Sequence, residues 1–187
     1  MKSSFSPSDA KWVTLKLIHW RDQEGKERLW EVAERKTRGV AILPLLRSKV
    51  PSEPLSTLIL EQYRPPAGNV VSSMTGNPPK PAAIRELKEE TGFIAARIVE
   101  SSPVLVPDAG MTTANMKLVV LDVEVDSLSD ELPFQKLEDG EHIVRRIVEL
   151  DELNTVLQDY AKRGFAIDAR LSHFAMGWDF SRKFSKK

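Results

Sequence analysis

The 187-residue chain contains no cysteine. That excludes disulfides, thiolate nucleophiles and cysteine-type zinc sites, and it suits a reducing compartment. The chain also lacks an excess of either charge: 27 Lys and Arg stand against 27 Asp and Glu. Such a balance leaves no electrostatic footprint for a nucleic-acid backbone or an anionic membrane, so neither partner is expected. Histidine is scarce. His19, His142 and His173 are scattered; none is assigned to catalysis, and His173 reads as structural. No uncharged apolar run approaches the length of a membrane span, and "MKSSFSPSDAKW" lacks an apolar signal core. The expectation is a soluble cytoplasmic protein, with the nucleus as a second compartment.

What is present is a chain that is 41% hydrophobic, enough for one real core. Residues 12–20 alternate Val13, Leu15 and Leu17 against polar neighbours and read as a strand. Gly25 marks a turn, and residues 28–35 pair back as a hairpin. "GVAILPLL" (39–46) and "STLILEQYR" (56–64) read as buried strands. Residues 65–81, dense in Pro, Gly, Ser and Asn, read as an irregular loop. Pro81 then opens a helix that Gly92 ends. "RIVESSPVLV", residues 116–125 and "HIVRRIVEL" read as further strands. Residues 151–164 form a helix with Asp151 as its cap and Gly164 after its end. A last helix over 168–180 carries Leu171, Phe174, Ala175 and Trp178 on one stripe. Many strands, one central helix and two terminal helices point to an α+β fold.

The helix between Pro81 and Gly92 holds Glu86, Glu89 and Glu90. Their spacing puts three carboxylates on one face, where they repel by roughly 0.2–0.5 kcal/mol per pair. Either solvent dilutes that repulsion on an ordinary acidic face, or a cation sits among them.

Arg85, Glu86, Leu87, Glu89, Glu90, Gly92 and Phe93 match the second half of the Nudix box, R-E-U-x-E-E-x-G-U with U apolar. Trp12, "WEVAER" (30–35), "QYRPP" (62–66), "DAGMTTAN" (108–115), "LEDGE" (137–141) and "DARLSHF" (168–174) extend the likeness over nearly the whole chain. The chain therefore resembles the Nudix hydrolases of the ADP-ribose (ADP-sugar) pyrophosphatase type. The resemblance implies a Nudix fold, a mixed β-sheet core with the Nudix helix and C-terminal helices in an α/β/α sandwich. A small N-terminal β hairpin region would precede it. It divides the chain into residues 1–38, for dimerisation and base stacking, and a hydrolase domain over 39–187.

The activity implied is magnesium-dependent hydrolysis of ADP-ribose or a related ADP-sugar to AMP and a sugar phosphate such as ribose 5-phosphate, with manganese as an alternative ion. By resemblance, Glu86 and Glu90 are the principal metal ligands and Glu89 a third or bridging one. Arg85 would orient a carboxylate. Glu141 would act as general base or position the attacking water; its other reading is a mobile acidic loop. Trp12 and Trp30 would stack on adenine from different subunits of a swapped homodimer, or else serve as core or strand-pair residues. Glu31 would accept from the adenine edge. Arg35 and Arg64 would hold phosphates, for which a guanidinium is suited, or be ordinary surface charges. Asp108, Gly110 and Met111 would contact the terminal ribose, although Gly110 equally suits a plain turn.

The first half of the box departs from G-x5-E-x7-R. Counting back from Arg85, Asn77 holds the glutamate position and Val71 the glycine position. Either Gly68 is the box glycine with an insertion after it, or, as favoured, "RPPAGNVV" begins a strand whose end and glycine–glutamate loop are missing, replaced by "SSMTGNPPKP". Weakened metal binding follows. The rival reading is a Nudix domain that binds ADP-ribose or a related nucleotide without cleaving it.

Overall fold

The computed structural model describes residues 10–35, 39–76 and 80–185. Strands β1 (Val13–Arg21) and β2 (Glu27–Arg35) form an antiparallel hairpin, a two-stranded sheet of their own. Asp22 fixes its turn: one carboxylate oxygen accepts from the backbone N–H of Glu24 at 3.0 Å and of Lys26 at 2.9 Å.

The main sheet contains β3 (Gly39–Ser48), β4 (Ser56–Arg64), β5 (Gly68–Ser72), β6 (Met74–Gly76), β7 (Arg97–Ser101), β8 (Met116–Val125), β9 (Ile143–Glu149) and β10 (Ala166–Ile167). β3 runs parallel to β8 along its length, with β7 antiparallel on the outside. β4 runs antiparallel to β9. Between them β3 and β4 diverge. Only Leu45 and Leu46 pair with Thr57 and Ser56; the start of β3 pairs instead with β6, and the end of β4 with β5.

The chain over 68–76 therefore crosses the split in the sheet, which corrects the reading of 65–81 as irregular and of "SSMTGNPPKP" as devoid of strand. β5 agrees with the favoured reading of "RPPAGNVV" as a strand start; composition hid its end and β6 because tertiary pairing makes them. Val71 and Met74 are fully buried, in the cores on opposite faces of the sheet, as strand alternation places residues three apart. Gly76 ends β6, and α1 (Lys80–Thr91) starts four residues later. Asn77 lies outside the described residues.

α1 covers one face of the sheet through Ala83 and Leu87, which pack with Ile42, Leu58, Leu60 and Leu121. α2 (Leu153–Lys162) and α3 (Ala169–Phe184) cover the other, with Leu157, Tyr160, Leu171 and Ala175 against Ile59, Val71 and Val148. The result is the α/β/α layering expected of the resemblance. Phe174 and Trp178 are partly buried beside Leu171 and Ala175, so the stripe on the last helix is real. His173 is exposed, against its reading as structural.

Asp151 is not the cap of α2. Glu152 occupies that place without a side-chain bond, while Asp151 accepts from Trp178 Nε1 at 3.0 Å and pairs with Arg182 at 2.7 Å. Asp168 does cap α3, accepting from the N–H groups of Arg170 and Leu171. The stretch "RIVESSPVLV" is a strand only over Arg97–Ser101. No helix among the described residues is long and apolar enough to cross a membrane.

Candidate active site

Where α1, the ends of β2 and β4, the start of β8 and the 136–141 loop meet, a cleft of about 610 Å³ opens. Glu86, Glu89, Glu90, Glu138 and Glu141 line it together with Arg35, Arg64, Lys136 and Arg170. Its size is within the usual range for small-molecule sites.

Helix geometry sets the depth of each carboxylate. At about 100° per residue, Glu90 lies about 20° from the buried Ala83, Glu86 about 60° and Glu89 about 120°. Accordingly the Glu86 side chain is 17% exposed and that of Glu89 38%. Burial pushes the Glu90 carboxyl up to about 7, helped by the negative charges of Glu86, Glu141 and Glu89 and opposed by Arg64. Burial also raises Glu86; the Arg85 guanidinium opposes it, while Glu89, Glu138 and Glu141 add to the rise. Arg85 binds Glu89 at 2.6 Å and Glu86 at 3.0 Å. It thus orients two of the three acids; among the described residues Glu90 has no ion-pair partner, and Arg64 is the cation that opposes its rise.

The donor set is carboxylate oxygen only, the chemistry that hard divalent ions take. In chemistry and placement the residues fit such an ion. In spacing they do not yet converge, since no group of three acidic or histidine side chains stands at ion-holding distances among the described residues.

Glu141 closes its own turn. Its carboxylate accepts from the Glu138 N–H at 3.1 Å, and its N–H donates to the Glu138 carbonyl at 3.1 Å. Gly140, with φ of +82°, permits that turn. Arg170 is paired with Asp168 and reaches the Met116 sulfur at 3.3 Å. Asn115 also lines the cleft, its side-chain oxygen buried with no hydrogen-bond partner among the described residues.

A second group forms beside the cleft. Trp30 donates from Nε1 to the Gly110 carbonyl at 2.9 Å, and the Ala33 N–H to the Met111 carbonyl at 2.9 Å. Asp108 accepts from the Gly110 N–H at 3.2 Å. The Arg35 N–H meets Thr113 Oγ1 at 3.2 Å, which sets the Arg35 side chain at the cleft. Pairing alternation puts Glu31 and Arg35 on one face of the hairpin and Trp30 on the other. Trp12, 75% exposed at the foot of β1, and Glu31 do not line the cleft.

The structure therefore gathers Glu86, Glu89, Glu90, Glu141, Arg35 and Arg64 in one cavity, and Trp30, Asp108, Gly110 and Met111 next to it. Sequence reading missed Lys136, Glu138, Asn115 and Arg170. Glu138, Arg170 and Asn115 lay within "LEDGE", "DARLSHF" and "DAGMTTAN" and could have been singled out; Lys136 carried no signal.

No family model matches the chain. Individual proteins do. It is 38% identical to a Nudix hydrolase of Schizosaccharomyces pombe, over 97% of this chain and 93% of that one. It is 34% identical to an ADP-ribose pyrophosphatase of Saccharomyces cerevisiae, over 96% and 82% of the two chains. It is 28% identical to an ADP-sugar pyrophosphatase of Mus musculus, over 90% and 82%. Its fold matches the crystal structure of an ADP compounds hydrolase with a TM-score of 0.65 at 19% identity, covering 95% of this chain and 88% of that one. The chain belongs to the Nudix hydrolases, enzymes that generally use divalent metal ions.

Proposed function

We propose that this enzyme hydrolyses the diphosphate of ADP-ribose or a related ADP-sugar, giving AMP and a sugar phosphate such as ribose 5-phosphate. The observation that carries the reading is a cleft that holds the acidic face of α1 together with Arg35 and Arg64. A cleft with both signs of charge suits a ligand that is a metal-bound diphosphate. The relatives named for ADP-ribose and ADP-sugars supply the substrate class.

Glu86, Glu89 and Glu90 would hold the ion, magnesium by preference and manganese as a substitute. When bound, it neutralises diphosphate charge and lowers the pKa of a bound water. Arg35 and Arg64 grip phosphate oxygens through paired N–H donors. Glu141 takes the proton of the attacking water as its oxygen adds to phosphorus and the bridging P–O bond breaks. Arg85 orients Glu86 and Glu89. Trp30 offers a face to adenine while its N–H holds Gly110, and Asp108, Gly110 and Met111 border the terminal ribose.

We also infer a homodimer through the hairpin. Leu15, Leu17 and Leu29 share one hairpin face and are 74%, 58% and 59% exposed. A partner copy burying that patch would bring its own Trp12 toward the adenine, since the resemblance implies that Trp12 and Trp30 come from different subunits.

The three-residue link between β6 and α1 favours a second reading, binding without cleavage. From Gly76 the box arginine follows after nine positions, where the family pattern has fourteen. Incubation of ADP-ribose and magnesium with the parent and with Glu90→Gln decides. AMP release by the parent, lost in the variant, supports hydrolysis. Calorimetric binding of ADP-ribose with no AMP formed supports the binder and overturns hydrolysis.

A further inference from the structure

A helix leaves its last four carbonyls without partners inside the helix. In α1 these belong to Lys88, Glu89, Glu90 and Thr91, two of them cleft residues. The Lys88 carbonyl accepts from the Gly92 N–H at 2.8 Å, and that of Glu89 from the Lys136 N–H at 2.8 Å. The Glu90 carbonyl accepts from Gln135 Nε2 at 2.6 Å. The Thr91 carbonyl accepts from Arg145 Nη1. Every one is occupied, and three of the four donors come from distant segments.

Those donors are themselves tied together. Gln135 Nε2 also reaches the Ile143 carbonyl at 3.2 Å, and Arg145 Nη1 the Pro133 carbonyl at 2.5 Å. Arg145 is half-buried on β9, and burial alone draws its pKa below the ordinary arginine value; no carboxylate offsets this among the described residues. Its charge is compensated by carbonyls, at the negative end of the helix dipole. Gly92 completes the joint. It holds φ of +76°, and a Cβ there would lie 2.9 Å from the Pro133 carbonyl carbon and closer still to the Phe134 oxygen.

The segment 133–136 leads directly into the Glu138–Glu141 turn. One joint therefore fixes the separation between the two acidic walls of the cleft. At its other end α1 is reached by a link of only three residues.

We propose that Gln135 and Arg145 are positioning residues: by clamping the C-terminal carbonyls of α1 to the 133–136 segment, they set the spacing of the Glu86–Glu89–Glu90 wall against the Glu138–Glu141 turn, and so how tightly the cleft holds its divalent ion. The inference rests on the metal-dependent reading given above.

The test compares Gln135→Met, Arg145→Met and Arg145→Lys with the parent, and uses Arg146→Met as control. Arg146 neighbours Arg145 on β9 but binds Glu61, away from the cleft. Manganese affinity is measured by calorimetry, amide exchange at Gly92 and Lys136 by NMR, and kcat and KM with ADP-ribose at saturating manganese. Both Met variants should weaken manganese binding by about tenfold, the low end of losses seen when partners of metal ligands are removed. Lys136 exchange should quicken, and kcat should fall while KM stays within about twofold, because Arg35 and Arg64 are not on α1. Arg145→Lys should regain part of the affinity, and Arg146→Met should leave it unchanged.

Manganese affinity within about twofold of the parent in Gln135→Met, a loop variant expected to fold, overturns the proposal. So does an equal loss in Arg146→Met, which would mean general destabilisation, and so does a parent that takes up no manganese. If the parent binds manganese but cleaves no ADP-ribose, the hydrolysis reading fails alone, and affinity and exchange still decide the clamp.

Discussion

The indole N–H of Trp30 meets the carbonyl of Gly110 at 2.9 Å, joining the hairpin to a loop 80 residues further along the chain. Two segments that the sequence marks separately as binding elements thereby form one wall beside the cleft. Trp30 remains 47% exposed, free to offer a ring face while its nitrogen is engaged.

Replacing Trp30 should separate these roles. Trp30→Phe keeps an aromatic face and removes the hydrogen bond, so AMP affinity should fall by no more than about 0.5–1.5 kcal/mol. Trp30→Ala removes the face too and should lose about 1–3 kcal/mol in all. Calorimetry with AMP checks both; equal affinity across the three proteins would remove Trp30 from the base site.

Glu90 is the most deeply set of the three helix acids, with its carboxyl pushed up to about 7. Without metal its charge works against the fold, so Glu90→Gln should melt no lower than the parent at pH 8. Magnesium should then raise the parent's Tm and leave the variant's nearly unchanged, since ligand binding to the native state stabilises it. A parallel Tm rise in both would show that Glu90 does not hold the ion.

Gly92→Ala meets two obstacles at once, a φ of +76° and the backbone of Pro133 and Phe134. The loss should exceed about 1 kcal/mol, or about 2–4 °C of Tm for a chain of this size. Gly164→Ala serves as comparison: its φ is +86° but nothing lies within 4 Å of its Cβ position. It should cost less. Equal losses would show that the close approach at Gly92 carries no weight.

Asp122 is buried in β8, receives Arg47 Nε at 2.7 Å and lies 3.1 Å from Arg97 Nε. The Arg47 hydrogen bond holds its carboxyl below the ordinary range, reinforced by the positive charges of Arg47 and Arg97 and opposed by burial. A depressed folded pKa means stability that is full above the unfolded value, about 3.9, and lost as pH falls through the folded one. Asp122→Asn should therefore destabilise by about 1–3 kcal/mol at pH 7, and the gap to the parent should close only at strongly acidic pH. Urea unfolding at pH 7 and pH 3 checks the sign; a gap that widens in acid contradicts it.

The hairpin patch gives a test of assembly. Leu15→Lys with Leu29→Lys places charge on the exposed apolar face. Sedimentation should change from twice the chain mass to the chain mass, with the melting of the main sheet preserved. A parent that sediments at the chain mass refutes the dimer.

Much of this was legible from local pattern. Pro81 and Gly92 bracketed α1, and alternation or apolar runs located β1 to β4, β8 and β9, because those signals depend on near neighbours in the chain. The start of β5 was legible in "RPPAGNVV", but its end and β6 were not. Ser72, Ser73, Thr75 and Gly76 have little strand character, and their pairing with β4 and β3 is non-local. The cap of α2 was misplaced for a similar reason, as Asp151 is drawn to Trp178 and Arg182 on α3.

By itself the sequence determined which chemical groups are available and their local spacing: three carboxylates on one helical face, a glycine to end that helix, two arginines at strand ends. Only the tertiary structure decided that Lys136, Glu138, Asn115 and Arg170 join them, and that the carbonyls of α1 are held by Gln135 and Arg145. Spacing along a helix is fixed by backbone geometry over a few residues. A cleft and its supports depend on where the sheet splits and how separate segments return to it, and no local pattern encodes that.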